Sequence, residues 1–347
     1  MSTRELLATR AGPRMDGRIG LITGATGGMG RVVATELARR GATVALVARD
    51  LEKGEAVRRE IVASTGNASV DLFIADLAEF GDVQRLAAEV RERYPALHVI
   101  VNNAGAYDTE HRLNDAGVER NLAVNYFSPF LLTTLLVDAL QSGAPSRVVN
   151  VASAAMATTL DLDDLRGGRR PVGRRGYATA KLALLMASFA LARRLRETGV
   201  TVNVLHPGLV ATAIGDNAVP RLLRPLVGMA KAAAVRFSLA ATPEEGARTT
   251  IYLATAPEIA AVTETYFVDG RPHPVPPVAT DTDRQEQLWL LTSEVVGRSP
   301  GAFAPGPAGV AVAERPDRRV PMPRFLSALF IALQVVLYRL SGGRILG

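Results

Sequence analysis

Arg18 to Gly30 reads RIGLITGATGGMG. The first six residues are apolar enough for a short buried strand, and a helix pattern runs from about Arg31 to Arg40, where Gly41 supplies a stop. Thr23 to Gly30 joins the two. Glycines at such a junction permit a tight turn and let the backbone approach a pyrophosphate, which the helix N-terminus stabilises. Thr23, Gly24, Gly28, Met29 and Gly30 are therefore candidate phosphate-cradle residues. An ordinary glycine-rich loop is the bland alternative, and the placement between strand and helix weighs against it.

Working outward, ATVALVA (42–48) is a second buried strand. Asp71–Ala75, Val99–Val101, Arg147–Val151, Val200–Leu205 and Thr265–Val268 complete a set of seven, separated by helical patterns such as Asp82–Tyr94, Val118–Leu140 and Tyr177–Thr198. Strands alternating with helices predict an α/β, Rossmann-type doubly wound fold. Its seven-stranded, mainly parallel sheet carries helices on both faces, and its ligand site lies at the carboxyl ends of the strands.

The 347-residue chain is 48% apolar and has no cysteine, which excludes a disulfide scaffold and thiolate metal sites. Its net charge of +6 belongs mostly to the end of the chain. Residues 298–347 carry seven arginines against Glu314 and Asp317, so the body is nearly neutral. With 5% aromatics and no basic face, nucleic acid is not expected as a partner. The N-terminus, MSTRELLATRAGPRMDGR, has neither an apolar segment nor a small-residue cleavage site, which predicts a cytoplasmic location. The expected organisation is an extension at 1–14, a catalytic domain at 15–297, a Pro/Gly/Arg-rich linker at 298–323 and an apolar C-terminal helix at 324–347.

The end of the second strand selects the dinucleotide. An acid there would bind the adenosine ribose 2′-hydroxyl and repel a 2′-phosphate. Ala48 stands where that acid is expected and Arg49 follows, so NADP(H) is preferred, with NAD(H) still open. Asp50 could be misread as the ribose acid; just before a helix it reads better as an N-cap. Further on, YATAK (177–181) puts a phenol and an ammonium on one helical face. A nearby cation favours the phenolate, which suits Tyr177 to proton transfer with a carbonyl oxygen. VVNVAS (148–153) ends a buried strand at Ser153, which can hydrogen-bond the same oxygen. The chain has lysine at only three positions, 53, 181 and 231, so the spacing of Lys181 from Tyr177 carries information.

These motifs together resemble the short-chain dehydrogenase/reductases. They run in that family's order over about 15–297: TGATGGMG (23–30), Asp76-Leu77, Asn102-Asn103-Ala104-Gly105, Asn125, Ser153, YATAK, and Pro207-Gly208 with Thr212. ARDLEKGE (48–55), RVVNVAS (147–153), TPEEGARTTIYLA (242–254) and LWLLTSEVVG (288–297) are similar to the retinol dehydrogenase and WW-domain oxidoreductase-like branch, as is the long spacing from Ser153 to Tyr177. The resemblance implies Tyr177 as acid/base. Lys181 would bind the nicotinamide ribose and lower the tyrosine pKa, Ser153 would orient the carbonyl, and Asn125 would hold a water in a proton relay. It implies further that Asn102, Asn103, Ala104 and Gly105 line the cofactor, that Asp76 and Leu77 contact adenine and its surroundings, and that Pro207, Gly208 and Thr212 hold the nicotinamide side. Asn125 could instead cap a turn, and Thr212 a helix. Two departures stand out: Ala152 replaces a second serine, and Gly27 offers no side chain to a 2′-phosphate.

The four histidines (98, 111, 206, 273) lack metal-site spacing, so no metal is expected, and His206 reads as a residue shaping the loop at Pro207. RGGRRPVGRRG (166–176), with five arginines, is either an anion clamp or a solvated insertion. An apolar lid at about 212–241, including Leu222, Leu226 and Phe237, suggests a lipophilic substrate. It equally fits a homo-oligomer contact or a membrane-facing helix. Phe325–Leu340, about 24 Å as a helix, is short for a bilayer core of about 30 Å. Peripheral membrane attachment through 324–347, docking on the domain or a partner, and a span stay open. The expected function is NADP(H)-dependent interconversion of a carbonyl and an alcohol on a retinoid-, steroid- or fatty-aldehyde-like molecule. The alternative is a non-catalytic dinucleotide-binding scaffold or sensor working through partner or membrane contacts.

Overall fold

The computed structural model describes residues 12–165, 172–210 and 240–299. Most of the N-terminal extension, the arginine loop at 166–171, Thr212 with nearly all of the lid, and the linker and apolar helix beyond 299 lie outside the described residues.

Strands β1 (Ile19–Thr23), β2 (Thr43–Ala48), β3 (Val70–Ile74), β4 (Val99–Asn102), β5 (Ser146–Val151), β6 (Val200–His206) and β7 (Thr265–Val268) pair in parallel. An eighth, β8 (Arg271–Pro272), runs antiparallel to β7 and closes the order β3-β2-β1-β4-β5-β6-β7-β8. This strand corrects the expected seven. Its two residues are exposed, so no apolar run announces it, and a proline is tolerated at a sheet edge. Strand order reverses between β1 and β4, which opens a crevice beyond their carboxyl ends.

Both sheet faces are buried, and neighbouring strand residues serve opposite cores. Leu21, Ala45 and Val47 belong to one apolar cluster, while Ile22, Val44 and Leu46 belong to the other. Helices α1 (Gly28–Arg39), α2 (Leu51–Thr65) and α9 (Pro243–Thr255) cover the second cluster through Val33, Leu37, Ile61 and Leu253. The other face is covered by α3 (Phe80–Arg93), α5 (Ser128–Leu135), α8 (Gly173–Arg194) and α10 (Thr282–Val295). Short helices α4 (Arg120–Leu122), α6 (Val137–Ser142) and α7 (Leu162–Leu165) complete the described set.

The helix expected at Val118–Leu140 is broken. A π-turn, Ala123–Phe127, separates α4 from α5, and Leu136 separates α5 from α6. A π-turn widens one turn of helix and re-aims the side chains on it; its centre here is Asn125. The α8 helix begins at Gly173, before the expected Tyr177, and nearly all of it is buried. Helix α10 lies across α8 and α5: Trp289 meets the Phe130 ring at 4.8 Å and sits 4.0 Å below the Arg194 guanidinium. Arg194 also pairs with Glu286, and Tyr126 hydrogen-bonds Thr292.

Candidate active site

The glycine turn is held by Thr23 and Asn103. Thr23 Oγ1 accepts the backbone N–H groups of Asn103 and Ala104, each at 3.0 Å. Asn103 Nδ2 donates to the carbonyls of Thr23 (2.9 Å) and Gly24 (3.3 Å). Gly24 and Gly28 take left-handed φ values of 65° and 51°. A Cβ on Gly30 would lie 2.3 Å from the Gly24 carbonyl oxygen, whereas one on Gly27 would meet open space. Gly27 caps α1 without a side-chain bond, so among the described residues no capping side chain takes up the first-turn N–H groups. This cradle fits a dinucleotide pyrophosphate. Met29 is buried, and its sulfur packs beside Gly246 on α9, which leaves its backbone for the turn.

At the end of β2, Ala48 is buried and Arg49 is exposed. Asp50 accepts the Lys53 N–H at 3.0 Å as the cap of α2, the role expected of it. Among the described residues, Arg49 has no acidic partner. Asp76 accepts the Ala78 N–H at 3.0 Å and faces Arg120 at 3.7 Å. Leu77 packs into the core, its carbonyl accepting from Ser128 at 2.6 Å. Asn102 does not line the crevice: its side chain turns into the core and donates to Thr133 (3.0 Å) and Asn150 (2.7 Å). Strand alternation sends it to the face opposite that expected.

Beyond β5 and β6, the structure brings Ser153, Tyr177 and Lys181 together. The Ser153 hydroxyl lies beside the Tyr177 phenol and acts on its acidity. Ser153 Oγ also accepts the Ala155 N–H at 3.1 Å. The Ala157 N–H donates to Ala178 O at 3.0 Å, tying this loop to α8 beside Tyr177. Lys181 Nζ donates to the Val151 carbonyl at 2.8 Å and sits 5.7 Å from the Tyr177 ring centre. Burial raises the Tyr177 phenol, and the neighbouring Ser153 side chain opposes the rise. The expected lowering by Lys181 is not part of this balance. The ammonium is itself buried, which pushes it down to about 7 and weakens its charge.

Three residues in this region escaped the sequence reading. Tyr107 lays its ring edge against Tyr177, with centres 5.8 Å apart. Its neighbours are clamped. Asn125 donates to Ala106 O at 2.8 Å and accepts the Ala106 N–H at 3.2 Å, and Asn121 does the same for Asp108, both at 2.8 Å. The side chain of Asn125 is thus committed to shaping the loop. Glu119 caps α4 and holds Asn121; burial pushes its carboxyl up to about 7. Tyr107 could have been found from its position just past NNAGA; the clamps are distant pairings without a local signal.

His206, at the end of β6, accepts through Nδ1 from the N–H groups of Ala154 (3.2 Å) and Gly208 (3.3 Å). Gly208 has φ 83° and Pro207 precedes it, so the turn beyond β6 is sharply set. Burial pushes the imidazole down to about 4, with Asp269 opposing and His273 adding to the fall. Below about pH 6.5 an unfolded chain takes up a proton that the folded ring refuses, so stability is expected to fall between about 6.5 and 4. Thermal melts should show the parent losing roughly 3 kcal/mol more than His206→Asn over this window. Parallel pH profiles would remove His206 as the source.

With this geometry in place, the comparisons with known proteins are specific. The short chain dehydrogenase family's sequence profile matches residues 18–222. The chain belongs to the short-chain dehydrogenase family. Human retinol dehydrogenase 14 is 37% identical over 298 residues, covering 82% of this chain and 87% of the relative. Human retinol dehydrogenase 13 is 36% identical over 284 residues, covering 81% and 85%. Among solved structures, an uncharacterised protein from Mycobacterium paratuberculosis superposes with a TM-score of 0.65 at 28% identity, covering 86% of this chain and 98% of its own. A protein from Beutenbergia cavernae, described as an NAD(P)-dependent gluconate 5-dehydrogenase and solved with NADP, gives 0.57 at 27%, covering 74% and 96%. This short-chain dehydrogenase is thus an NAD(P)-dependent oxidoreductase of alcohols and carbonyls, of the retinol dehydrogenase-like branch. Among its described residues no helix is long and apolar enough to cross a membrane.

Proposed function

We propose that this short-chain dehydrogenase uses NADP(H) to interconvert a carbonyl and an alcohol on a lipophilic small molecule, with Tyr177 as the acid/base. The observation that carries this reading is the convergence on one phenol of the Ser153 side chain and of Lys181, whose Nζ lies 5.7 Å from the Tyr177 ring centre. The dinucleotide supplies the hydride in reduction or receives it in oxidation. In reduction Tyr177 delivers a proton to the carbonyl oxygen while Ser153 donates a hydrogen bond to it; in oxidation Tyr177 takes the proton back. Lys181, tied to Val151, holds its Nζ beside the phenol, where its charged form favours the phenolate as that proton moves. Asn125 keeps the loop before it in place, and Gly24, Gly28 and Gly30 leave room for the pyrophosphate. The substrate class rests on the apolar residues of 212–241 and on relatives named retinol dehydrogenases. Reduction of all-trans-retinal and decanal, followed by nicotinamide absorbance, tests it. Turnover of polar sugars alone would overturn it.

The preference for NADP(H) is supported by the absent acid at Ala48, the exposed Arg49, and the commitment of Asp50 to capping. Arg49→Ala should weaken NADPH binding about 10- to 100-fold, the worth of a charge-assisted bond, and leave NADH within about twofold. Fluorescence titration measures both; equal losses for the two would refute the assignment. Peripheral membrane contact through 324–347 is proposed on the sequence alone, from the arginines flanking its apolar stretch.

A further inference from the structure

We propose that His206 is a positioning residue that sets the Ser153 turn against the Pro207-Gly208 turn through a single nitrogen. It rests on the reading above, in which Ser153 works on the substrate oxygen and Pro207-Gly208 borders the nicotinamide. Nδ1 of an imidazole has one in-plane lone pair, and here two backbone N–H groups share it, at 3.2 and 3.3 Å. One donor, Ala154, sits between Ser153 and Ala155, and the Ala155 N–H is already held by Ser153 Oγ at 3.1 Å. The other, Gly208, follows Pro207. The ring therefore stands between two chain segments that β5 and β6 deliver to the same end of the sheet. Just before this point the strands are joined by the Ala152 N–H to Leu205 O bond, at 2.7 Å. Beyond that last ladder bond, no other backbone hydrogen bond among the described residues ties the two turns to each other.

The arrangement specifies a tautomer. Nδ1 must be unprotonated to accept, so the proton of the neutral ring is on Nε2. A proton on Nδ1 would confront two donors and push both turns away. Burial independently favours the uncharged ring. The arrangement also specifies which substitution works. Asn Oδ1 is the same number of bonds from Cα as His Nδ1 and can accept the same two N–H groups. Gln places its acceptor one bond further out, and Ala has none.

The test compares the full-length parent with His206→Asn, His206→Gln and His206→Ala, using NADPH with decanal and with all-trans-retinal. The expected result is kcat within about threefold for Asn. For Gln and Ala the expected loss is about 10- to 100-fold, the scale of a small misplacement of reacting groups. Unfolding midpoints serve as the control: Asn and Gln should melt alike while their kcat values differ. Two readouts need no turnover. Long-range ¹H–¹⁵N spectra should show His206 protonated at Nε2 only. The Ala154 and Gly208 amides should exchange slowly in the parent and Asn variant, and quickly in Gln and Ala. A proton on Nδ1, equal exchange in all four proteins, or equal kcat for Asn and Gln would overturn the proposal. If no aldehyde is reduced by the parent while the tautomer and exchange pattern hold, the substrate reading fails and the tie through His206 stands.

Discussion

Tyr177→Phe is expected to lower kcat about a hundred- to ten-thousand-fold while leaving NADPH affinity within about twofold. The substitution removes one oxygen and little else. The phenylalanine ring keeps the same volume for the edge of Tyr107, whose centre lies 5.8 Å away, and α8 keeps its buried face. What is lost is the proton that the proposed reaction must move, with the hydroxyl that Ser153 stands beside. Burial favours the protonated phenol, and the Ser153 hydroxyl is a far weaker acid than a phenol, so it cannot take over the proton transfer. Single-turnover absorbance with decanal and a parallel NADPH titration separate chemistry from binding. Full turnover by the variant would remove Tyr177 from the acid/base role.

Gly30→Ala is expected to cost more than about 3 kcal/mol and to abolish measurable dinucleotide binding, although only a methyl group is added. That methyl would sit 2.3 Å from the Gly24 carbonyl oxygen and 2.5 Å from Asn103 Nδ2. The first neighbour is backbone and cannot swing aside. The second is the amide that holds the turn to β4, so relieving the clash releases the clamp. Gly27→Ala is the matched control, with an extended φ of −176° and open space around its Cβ; its melting temperature should stay within a degree or two of the parent's. A Gly30→Ala protein that binds NADPH like the parent would show that the turn gives way and is not a fitted cradle.

The layered fold was readable because its strands are buried on both faces and therefore continuous in apolar residues, as ATVALVA is at β2. The glycine turn and the Tyr177–Lys181 spacing were readable because each is local: the constraint lies within a few residues. The misreadings have separate causes. Asn102 lies in the right motif but on the inward side of the strand, and one residue of register decides between core and crevice. The π-turn at Asn125 depends on the distant loop at Ala106, and β8 on the proximity of β7. His206 looks like a loop-shaping residue in sequence; its bond to Ala154 spans 52 positions and exists only once β5 and β6 are neighbours.

Helix α10 carries a consequence for assembly. An apolar stripe left exposed along a long helix such as α8 would favour association with another chain. Here the chain covers that stripe itself. Trp289 acts as an internal plug between Phe130 and Arg194, and Glu286 satisfies the arginine's charge. This part of the α5–α8 surface is consequently covered by the chain's own helix. Cutting the chain before Thr282 would convert this self-sealed face into an adhesive one. The truncated protein should self-associate in sedimentation at concentrations where the parent does not.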